Sequence, residues 1–266
     1  MTDPLEEIEF LARSPNRIRV LETLSNEPHT RQELQEAVGA SQPTLARILN
    51  DFDDRNWIER EGGTYETTHL GSFVASGFRS LLSVMETESQ LRDVVDLLPM
   101  ARFDFGLERL ADARITTPTR ADPGGPLNRA LELARGAETH RIVSYVLNHE
   151  MLETVDQATT DGRQSFEGAV TADTIDVLRS EYDSWRRLRS LAGSEAASLR
   201  LTDREVPFAV GIADGTVYLF LRDEDGLLRA LLESADPAVR SWAVDTVEQY
   251  RAAGEELDQS VLGEPP

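Results

Sequence analysis

Residues 41–50, SQPTLARILN, have the types and spacing that best fit a defined chemistry in this chain. If the segment is a helix, its outward side carries hydroxyl, amide and guanidinium groups, on Ser41, Gln42, Thr44, Arg47 and Asn50. Such groups bind phosphates and the edges of bases, and arginine can bind guanine through two hydrogen bonds. The segment contains no acid that would repel a polyanion. We therefore predict that it reads DNA; the alternative for Gln42 and Thr44 is an ordinary solvated helix start.

Arginines outside this segment are candidates for contacts with the phosphate backbone of DNA. Those that lie close to it in sequence are Arg13, Arg17, Arg19 and Arg31. Arg60 lies in a predicted hairpin, from which it would reach the minor groove or the backbone. These residues together predict double-stranded DNA as a partner.

The charge of the chain opposes this prediction in dilute buffer. All 27 basic residues are arginine, 48 residues are acidic, and the net charge is −21. Residues 1–70 hold seven arginines and fourteen acids, with Asp51, Asp53 and Asp54 expected just past the helix, so the usual basic surface of a DNA-binding domain is absent. Molar salt screens charges beyond about 3 Å. Because an acidic chain without lysine resembles the proteins of extreme halophiles, we expect this protein to work in concentrated salt.

The residues around 41–50 predict the elements that position it. Thr30 and Glu33 form a capping box, with Leu34, Ala37 and Val38 as the buried stripe of the helix that follows. Gly39 ends that helix. The predicted order is helices over 5–12, 14–27, 30–39 and 41–50, then a hairpin that turns at Gly62 and Gly63. This order is typical of a winged helix-turn-helix, and the alternative is a small helical bundle with an incidental hairpin.

Residues 70–98 predict one long helix, because apolar residues such as Phe78, Leu81, Met85 and Leu98 keep helical spacing. Such a stripe packs either on the C-terminal domain of the same chain or on a second copy. We expect a homodimer, since two copies suit two half-sites on DNA.

Residues 100–256 alternate predicted strands with predicted helices, and Asp214 and Gly215 mark a hairpin. The expected fold class is therefore α+β: a winged helix, a connecting helix and a C-terminal α/β domain with a mixed, partly parallel sheet. The predicted domains are residues 1–70, 71–99 and 100–256, followed by a disordered tail over 257–266.

Ligands of open α/β sheets bind beyond the carboxyl ends of the parallel strands. The residues expected there include Tyr145, Asn148, Thr171 and Arg204, which would hold a small polar or anionic effector. The alternative is that these residues cap helices and pack against the sheet.

Catalysis is not expected, because no arrangement of a nucleophile and a base is visible. The chain has no cysteine, and His29, His69, His140 and His149 do not have the spacing of metal ligands. We predict no cofactor and no metal. No signal peptide and no apolar run of membrane-spanning length is present, so a cytoplasmic location without membrane contact is expected.

Several blocks resemble a known family: SPNRIRVLETL, IEREGGTYETTHLG, LADARITTPTRADPGGP, REVPFAVGIADGTVYLFL and SADPAVRSWAVDTVEQYRAAGE. The chain is similar to archaeal winged-helix regulators, in particular haloarchaeal ones, whose C-terminal half is of the type first associated with a methanogen filamentation regulator. It more distantly resembles the sugar-sensing TrmB-type regulators. The resemblance covers nearly the whole chain and implies transcription regulation with a sensory C-terminal domain. Since residues 1–70 have a net charge of −7, a protein-interaction adaptor that no longer binds DNA is the alternative.

Overall fold

The computed structural model describes residues 3–263, and the chain separates into two compact units, Met1–Glu86 (unit 1) and Thr87–Pro266 (unit 2). Unit 1 contains α1 (Pro4–Ala12), α2 (Pro15–Asn26), β1 (His29–Thr30), α3 (Arg31–Val38), α4 (Gln42–Asp53), β2 (Ile58–Glu61), β3 (Thr64–Thr67) and the larger part of α5 (His69–Leu91). The three strands form an antiparallel sheet in the order β1-β3-β2. Unit 1 is therefore a winged helix-turn-helix, as the sequence predicts.

Local signals set the ends of the helices in unit 1. Thr30 and Glu33 form both bonds of the capping box at the start of α3. Gly39 ends α3 with a φ of 70°, a left-handed conformation that glycine adopts without steric cost. Ser41 caps α4, because its Oγ accepts a hydrogen bond from the Thr44 amide at 3.4 Å. Ser14 precedes α2 but forms no such side-chain bond.

The core of unit 1 is apolar and is built largely on α4, which buries Leu45, Ile48, Leu49 and Phe52. On α3 the prediction for Ala37 is wrong, since Leu34 and Val38 face the core and Ala37 is exposed. Helix α4 also extends further than expected. Asp51 and Asp53 therefore belong to its last turn, and Asp54 is its C-cap residue.

The long helix predicted over residues 70–98 ends at Leu91, and a short 3₁₀ turn follows at Val95–Leu97. In α5, Ala75 and Phe78 join the core of unit 1. Leu91, Val94 and Leu98 belong to a core of unit 2 instead. The predicted stripe is thus divided between two cores, and Leu81 and Met85 in its middle are exposed by 39% and 54%.

Unit 2 is an eight-stranded mixed sheet in the order β11-β7-β6-β5-β8-β9-β10-β4. Its strands are β4 (Arg114–Thr116), β5 (Thr139–Ser144), β6 (Ser165–Thr171), β7 (Ala197–Thr202), β8 (Ala209–Ala213), β9 (Thr216–Arg222), β10 (Leu228–Ser234) and β11 (Glu255–Glu256). Its helices are α6 (Gly125–Gly136), α7 (His149–Thr160), α8 (Ala172–Arg179), α9 (Tyr182–Ala192), α10 (Pro237–Ala253) and α11 (Gln259–Leu262). Strands β5, β6 and β7 are parallel and the other pairs are antiparallel. The predicted α+β class with a partly parallel sheet is confirmed.

The sheet of unit 2 separates two apolar cores. Residues of α6, α7, α8 and α9 contribute to the first core, in which Trp185 and Phe166 are fully buried. Residues of α10 and of the segment after α5 contribute to the second, which contains Trp242. The β8–β9 hairpin is packed closely, because a Cβ built at Gly211 would lie 2.1 Å from Cζ of Tyr218, its partner in the register. A glycine at this position therefore makes room for the tyrosine ring.

Outside the regular helices of unit 2, a 3₁₀ turn lies at Leu107–Leu110, and the chain breaks between α8 and α9. One prediction for unit 2 is corrected by the structure. Residues 257–263, expected to be disordered, include α11 with Leu257 and Leu262 buried, and residues 264–266 lie outside the described range.

Within residues 3–263, no helix is both long enough and apolar enough to cross a membrane.

Candidate nucleic-acid interface

The outer face of α4 carries exposed polar side chains. Gln42, Arg47 and Asn50 are exposed, and within the described part of the chain their side chains form no hydrogen bond or ion pair. The opposite face of the helix is fully occupied by the core, which holds the exposed face outward. Residues 37–50 contain no acid. This face therefore offers hydrogen-bond donors and acceptors in a locally acid-free surface.

The first turn of α4 is organised by its own polar groups. The hydroxyl oxygens of Ser41 and Thr44 lie 2.8 Å apart, so both take part in the cap. Arg31, at the start of α3, donates a hydrogen bond to the main-chain carbonyl of Gln42 at 3.2 Å. The guanidinium thus lies beside the N-terminal turn of α4, where it adds positive charge to the end of the helix that already attracts anions.

Arg17 does not lie at this surface, so its assignment as a phosphate contact is corrected. Its guanidinium donates to the carbonyl of Phe10 at 2.7 Å and to the carboxylate of Asp51 at 3.3 Å, and it lies 3.9 Å from the centre of the Phe10 ring. Only 14% of the side chain is exposed. Arg55 also packs on Phe10, at 3.8 Å, and pairs with Glu7. Both arginines hold α1 against the rest of unit 1.

The remaining predicted phosphate contacts are exposed. Arg13 pairs with Glu9 on its own helix at 2.6 Å, whereas Arg19 has no partner within the described residues. Arg60 faces Tyr65 across the wing, with its guanidinium 5.4 Å from the centre of the ring. The ring and the arginine form a cation–π pair, which limits the freedom of the Arg60 side chain.

Three of the four residues predicted to bind a ligand in unit 2 have structural roles. Asn148 caps α7 by accepting a bond from the Met151 amide at 2.9 Å, and Thr171 caps α8. Tyr145 is half-buried and packs against the second core. In the structure, Asn148 and Thr171 thus cap helices and Tyr145 packs against the core, which is the alternative considered from the sequence. Arg204 is different, because it lines an open cavity.

This cavity, the Trp242 groove, has a volume of about 620 Å³ and is lined by residues from 101–104, 204–208 and 242–250. Its charged residues are Arg102, Asp104, Arg204, Glu205 and Asp245. Of these, only Arg204 is predicted as a ligand-binding residue from the sequence. The others come from three segments that are far apart in the chain, and no short motif joins them.

The histidines lie apart from any cluster of metal-ligating side chains in the described part of the chain. Within residues 3–263, no group of three or more such side chains is close enough to hold an ion. His140 is fully buried, and its Nε2 lies 2.6 Å from the hydroxyl of Tyr218. Burial lowers the pKa of His140 to about 4, so this imidazole is neutral at neutral pH.

A helix-turn-helix with an exposed polar outer face, joined to an α/β unit with its own groove, defines a two-part winged-helix protein. Residues 5–90 match the HVO_A0261 N-terminal domain, and residues 123–253 match the middle domain of the methanogenesis regulatory protein FilR1. The chain thus joins a segment that matches the first of these domains to a segment that matches the second.

One relative is the methanogenesis regulatory protein FilR1 of Methanothrix harundinacea (strain 6Ac), which is 22% identical over 272 residues. The alignment covers 98% of this chain but 60% of that protein, so the chain spans less than two thirds of its relative. Among solved structures, the archaeal chromatin protein TrmBL2 is 13% identical over 96% of this chain and 100% of its own, with a TM-score of 0.42. NucT from Helicobacter pylori is 12% identical over 55% of this chain and 98% of its own, with a TM-score of 0.44.

Proposed function

We propose that the chain is a DNA-binding transcription regulator, in which unit 1 binds double-stranded DNA and unit 2 responds to a small molecule. The observation that carries the proposal is the outer face of α4, where Gln42, Arg47 and Asn50 are exposed and unpaired within the described residues. The relation to a protein named as a regulator supports it. The proposal includes no catalytic step.

In this proposal Arg47 reads bases in the major groove, with Gln42 and Asn50 beside it. An unpaired guanidinium in the middle of the exposed face is free to form the two hydrogen bonds that guanine offers. Arg19 and Arg31 contact phosphates, and Arg13 and Arg60 do so at the periphery. Ser41 and Thr44 stabilise the start of the helix, and the one hydroxyl whose hydrogen is not used in the Ser41–Thr44 bond donates to a phosphate.

The test is a sequence selection from random duplexes in molar KCl, followed by fluorescence anisotropy on the selected site. Arg47→Ala should weaken binding by about 1–3 kcal/mol and relax the preference at one base pair. Arg135→Ala is the matched control, since Arg135 is an exposed and unpaired arginine of α6 in unit 2. Unchanged affinity and preference in Arg47→Ala would remove the assignment.

The acids near the recognition helix lead to an unusual salt dependence. Asp53 and Asp54 are exposed, whereas Asp51 is paired with Arg17. Cations must collect between the exposed acids and the phosphates, which opposes the counterion release that normally weakens binding as salt rises. We expect a flat or positive slope of log K against log[KCl], with circular dichroism recorded at each salt concentration to verify that the fold is intact. A steep negative slope with a folded protein would contradict this account.

We also propose that the protein is a homodimer and that α5 contributes to the interface. Besides Leu81 and Met85, two more apolar side chains of this helix are exposed to solvent, Phe73 by 78% and Val84 by 58%. A stripe of this kind is unfavourable in water and favours burial against a second copy. Leu81→Glu combined with Met85→Glu should give a monomer by light scattering in high salt. A double variant that stays dimeric would place the interface elsewhere.

A second candidate is a protein-interaction adaptor whose winged helix does not bind DNA. The net charge of −7 over residues 1–70 favours it, because few cations are available for phosphates. Genome-wide DNA occupancy separates the two candidates. Discrete sites that share a motif support the regulator, and an absence of enriched sites supports the adaptor.

A further inference from the structure

The floor of the Trp242 groove is aromatic and is held in place by further rings. Phe208 and Trp242 are exposed by only 8% and 4%, and their ring centres lie 5.8 Å apart in a stacked arrangement. Phe103 and Phe105 pack edge-on against Trp242, at 4.9 and 5.8 Å. A cluster of four interlocked rings is rigid, so the small ring area that is exposed in the groove is a preformed apolar contact.

The polar groups of the aromatic side chains are already satisfied within the protein. The indole N–H of Trp242 donates to the carbonyl of Arg102 at 2.7 Å, and the hydroxyl of Tyr250 donates to the carbonyl of Glu205 at 3.0 Å. These two bonds fix the main chain of the segments that carry the charged residues. The small part of each ring that is exposed in the groove is therefore apolar, while the side chains of Arg102 and Glu205 supply charge.

The charged side chains of the groove have no partners within the described part of the chain. Neither arginine, Arg102 or Arg204, forms a side-chain hydrogen bond or an ion pair, and the same holds for the carboxylates of Asp104, Glu205 and Asp245. Elsewhere in unit 2 some arginines are paired, as Arg129 is with Glu233, whereas others, such as Arg135, are exposed and unpaired. What distinguishes the groove is that unpaired charges of both signs surround one aromatic floor, where they are available to a ligand.

The mixture of charges selects among ligand classes. A simple anion would bind the two arginines but would be repelled by three carboxylates, and a simple cation would meet the opposite conflict. A zwitterion satisfies both sets, because its carboxylate binds guanidinium groups and its ammonium binds carboxylates. The volume of about 620 Å³ lies within the usual range for small-molecule sites.

We propose that the Trp242 groove binds a free amino acid with an apolar side chain. The ligand carboxylate binds Arg102 and Arg204, the ligand ammonium binds Asp245 with Asp104 or Glu205, and the side chain lies on Phe208 and Trp242. This inference rests on the proposed response of unit 2 to a small molecule, and it names the class of that molecule.

Binding is measured on the full chain in molar KCl without DNA, by titration calorimetry and by the change in tryptophan fluorescence, to which Trp242 contributes together with Trp57 and Trp185. The probes are L-phenylalanine, L-leucine, 3-phenylpropionate, which lacks the ammonium, and phenethylamine, which lacks the carboxylate. We expect at least one of the two amino acids to bind, and both single-charge analogues to bind at least tenfold more weakly than L-phenylalanine. Equal binding of 3-phenylpropionate, or no binding of either amino acid, would overturn the proposal.

Variants test the two ends of the ligand separately. Arg204→Gln should weaken amino-acid binding at least tenfold but leave phenethylamine unaffected, and Asp245→Asn should weaken it while leaving 3-phenylpropionate unaffected. Arg135→Gln is the control for removal of an exposed, unpaired arginine. Thermal unfolding of each variant verifies the fold, since all three positions are exposed. Wild-type affinity in both groove variants would overturn the assignment.

The DNA-binding assay of the same preparation separates this inference from the proposed function. A protein that binds its DNA site but no amino acid refutes the groove assignment and leaves the regulator. A protein that binds an amino acid but no DNA supports the groove assignment and refutes the regulator.

Discussion

The two units differ in whether polar side chains are buried. Among residues 3–86 of unit 1, no polar or charged residue is buried, and Arg17 and Arg55 pack on Phe10 at the edge of the core. The interior of unit 2 contains His140, Asp156, Gln164 and Glu233, together with several hydroxyl groups. A buried polar group is tolerated only with a partner. The stability of unit 1 therefore depends on apolar packing, and that of unit 2 depends in addition on particular hydrogen bonds and charges.

The difference also affects function. Nearly all polar side chains of unit 1 lie at the surface, where a large partner such as DNA can contact them. Unit 2 has a fixed polar interior and a groove whose charges remain unpaired within the described residues, which suits a small molecule. Hydrogen exchange read by mass spectrometry in molar KCl reports the stability of each unit separately, so the two sides of this contrast can be tested independently.

The largest effect is expected from a cavity in the apolar core of unit 1. Leu45→Ala removes a side chain with no exposed surface, which should cost about 3 kcal/mol of unfolding free energy. The loss should appear in unit 1 and should be the same at pH 7 and pH 5, since the site has no titrating group in its core. A loss that changes with pH would mean that the interior of unit 1 is less apolar than described.

Removal of a buried charge should act on unit 2. Glu233 is 6% exposed at its side chain and accepts three hydrogen bonds from Arg129, the shortest at 2.8 Å. Glu233→Ala should lower the unfolding free energy by about 2–3 kcal/mol. This is less than the full cost of breaking a buried ion pair, because Arg129 is 27% exposed and stays paired with Glu132. Asp161→Ala, which breaks an exposed pair with Arg163, is the control and should have little effect.

A pH dependence should distinguish the units. Burial lowers the pKa of His140 from its ordinary 6.5 to about 4, so below pH 6.5 the unfolded chain binds a proton that the folded chain does not. The unfolded state then binds more protons, and unit 2 loses about 2 kcal/mol between pH 7 and pH 5. His140→Phe should reduce this pH-dependent loss, although it also leaves the Tyr218 hydroxyl without its partner. His69→Gln, at an exposed position of unit 1, should keep the pH-dependent loss of stability in unit 2. If His140→Phe loses as much stability between pH 7 and pH 5 as the wild type, another group causes the effect.

The smallest effect concerns the start of the recognition helix. Ser41→Ala removes the side-chain oxygen that caps α4 and should lower the stability of unit 1 by about 1 kcal/mol. Ser14→Ala is the matched control, because Ser14 occupies the same position before α2 without forming the bond. Chemical denaturation of both variants measures the difference, and equal losses would show that the Ser41 bond contributes nothing.

Much of the fold could be predicted because its signals are local. The capping box at Thr30 and Glu33, Gly39 after α3 and the turn at Asp214 and Gly215 each act over a few residues, and each lies where the sequence places it. The inward face of α4 follows from helical spacing alone. Local preferences and burial agree at these positions, so the sequence pattern is sufficient.

Features that depend on distant residues could not be predicted in this way. Arg17 has the same type and neighbourhood as an exposed phosphate contact, but its partner Asp51 lies 34 residues away. The Trp242 groove joins three segments whose charges have no common motif. The end of α5 at Leu91 is also non-local, because the apolar pattern continues while its residues are divided between two cores.

The close packing of Gly211 and Tyr218 restricts how these positions can change in related sequences. Any side chain at position 211 would overlap the tyrosine ring, and the hydroxyl of that ring is in turn the partner of His140. The three positions therefore cannot change one at a time without loss of stability. In related sequences we expect a residue larger than glycine at 211 to occur with a smaller residue at 218 and a non-histidine at 140, so that the three sites form a covarying group across the sheet.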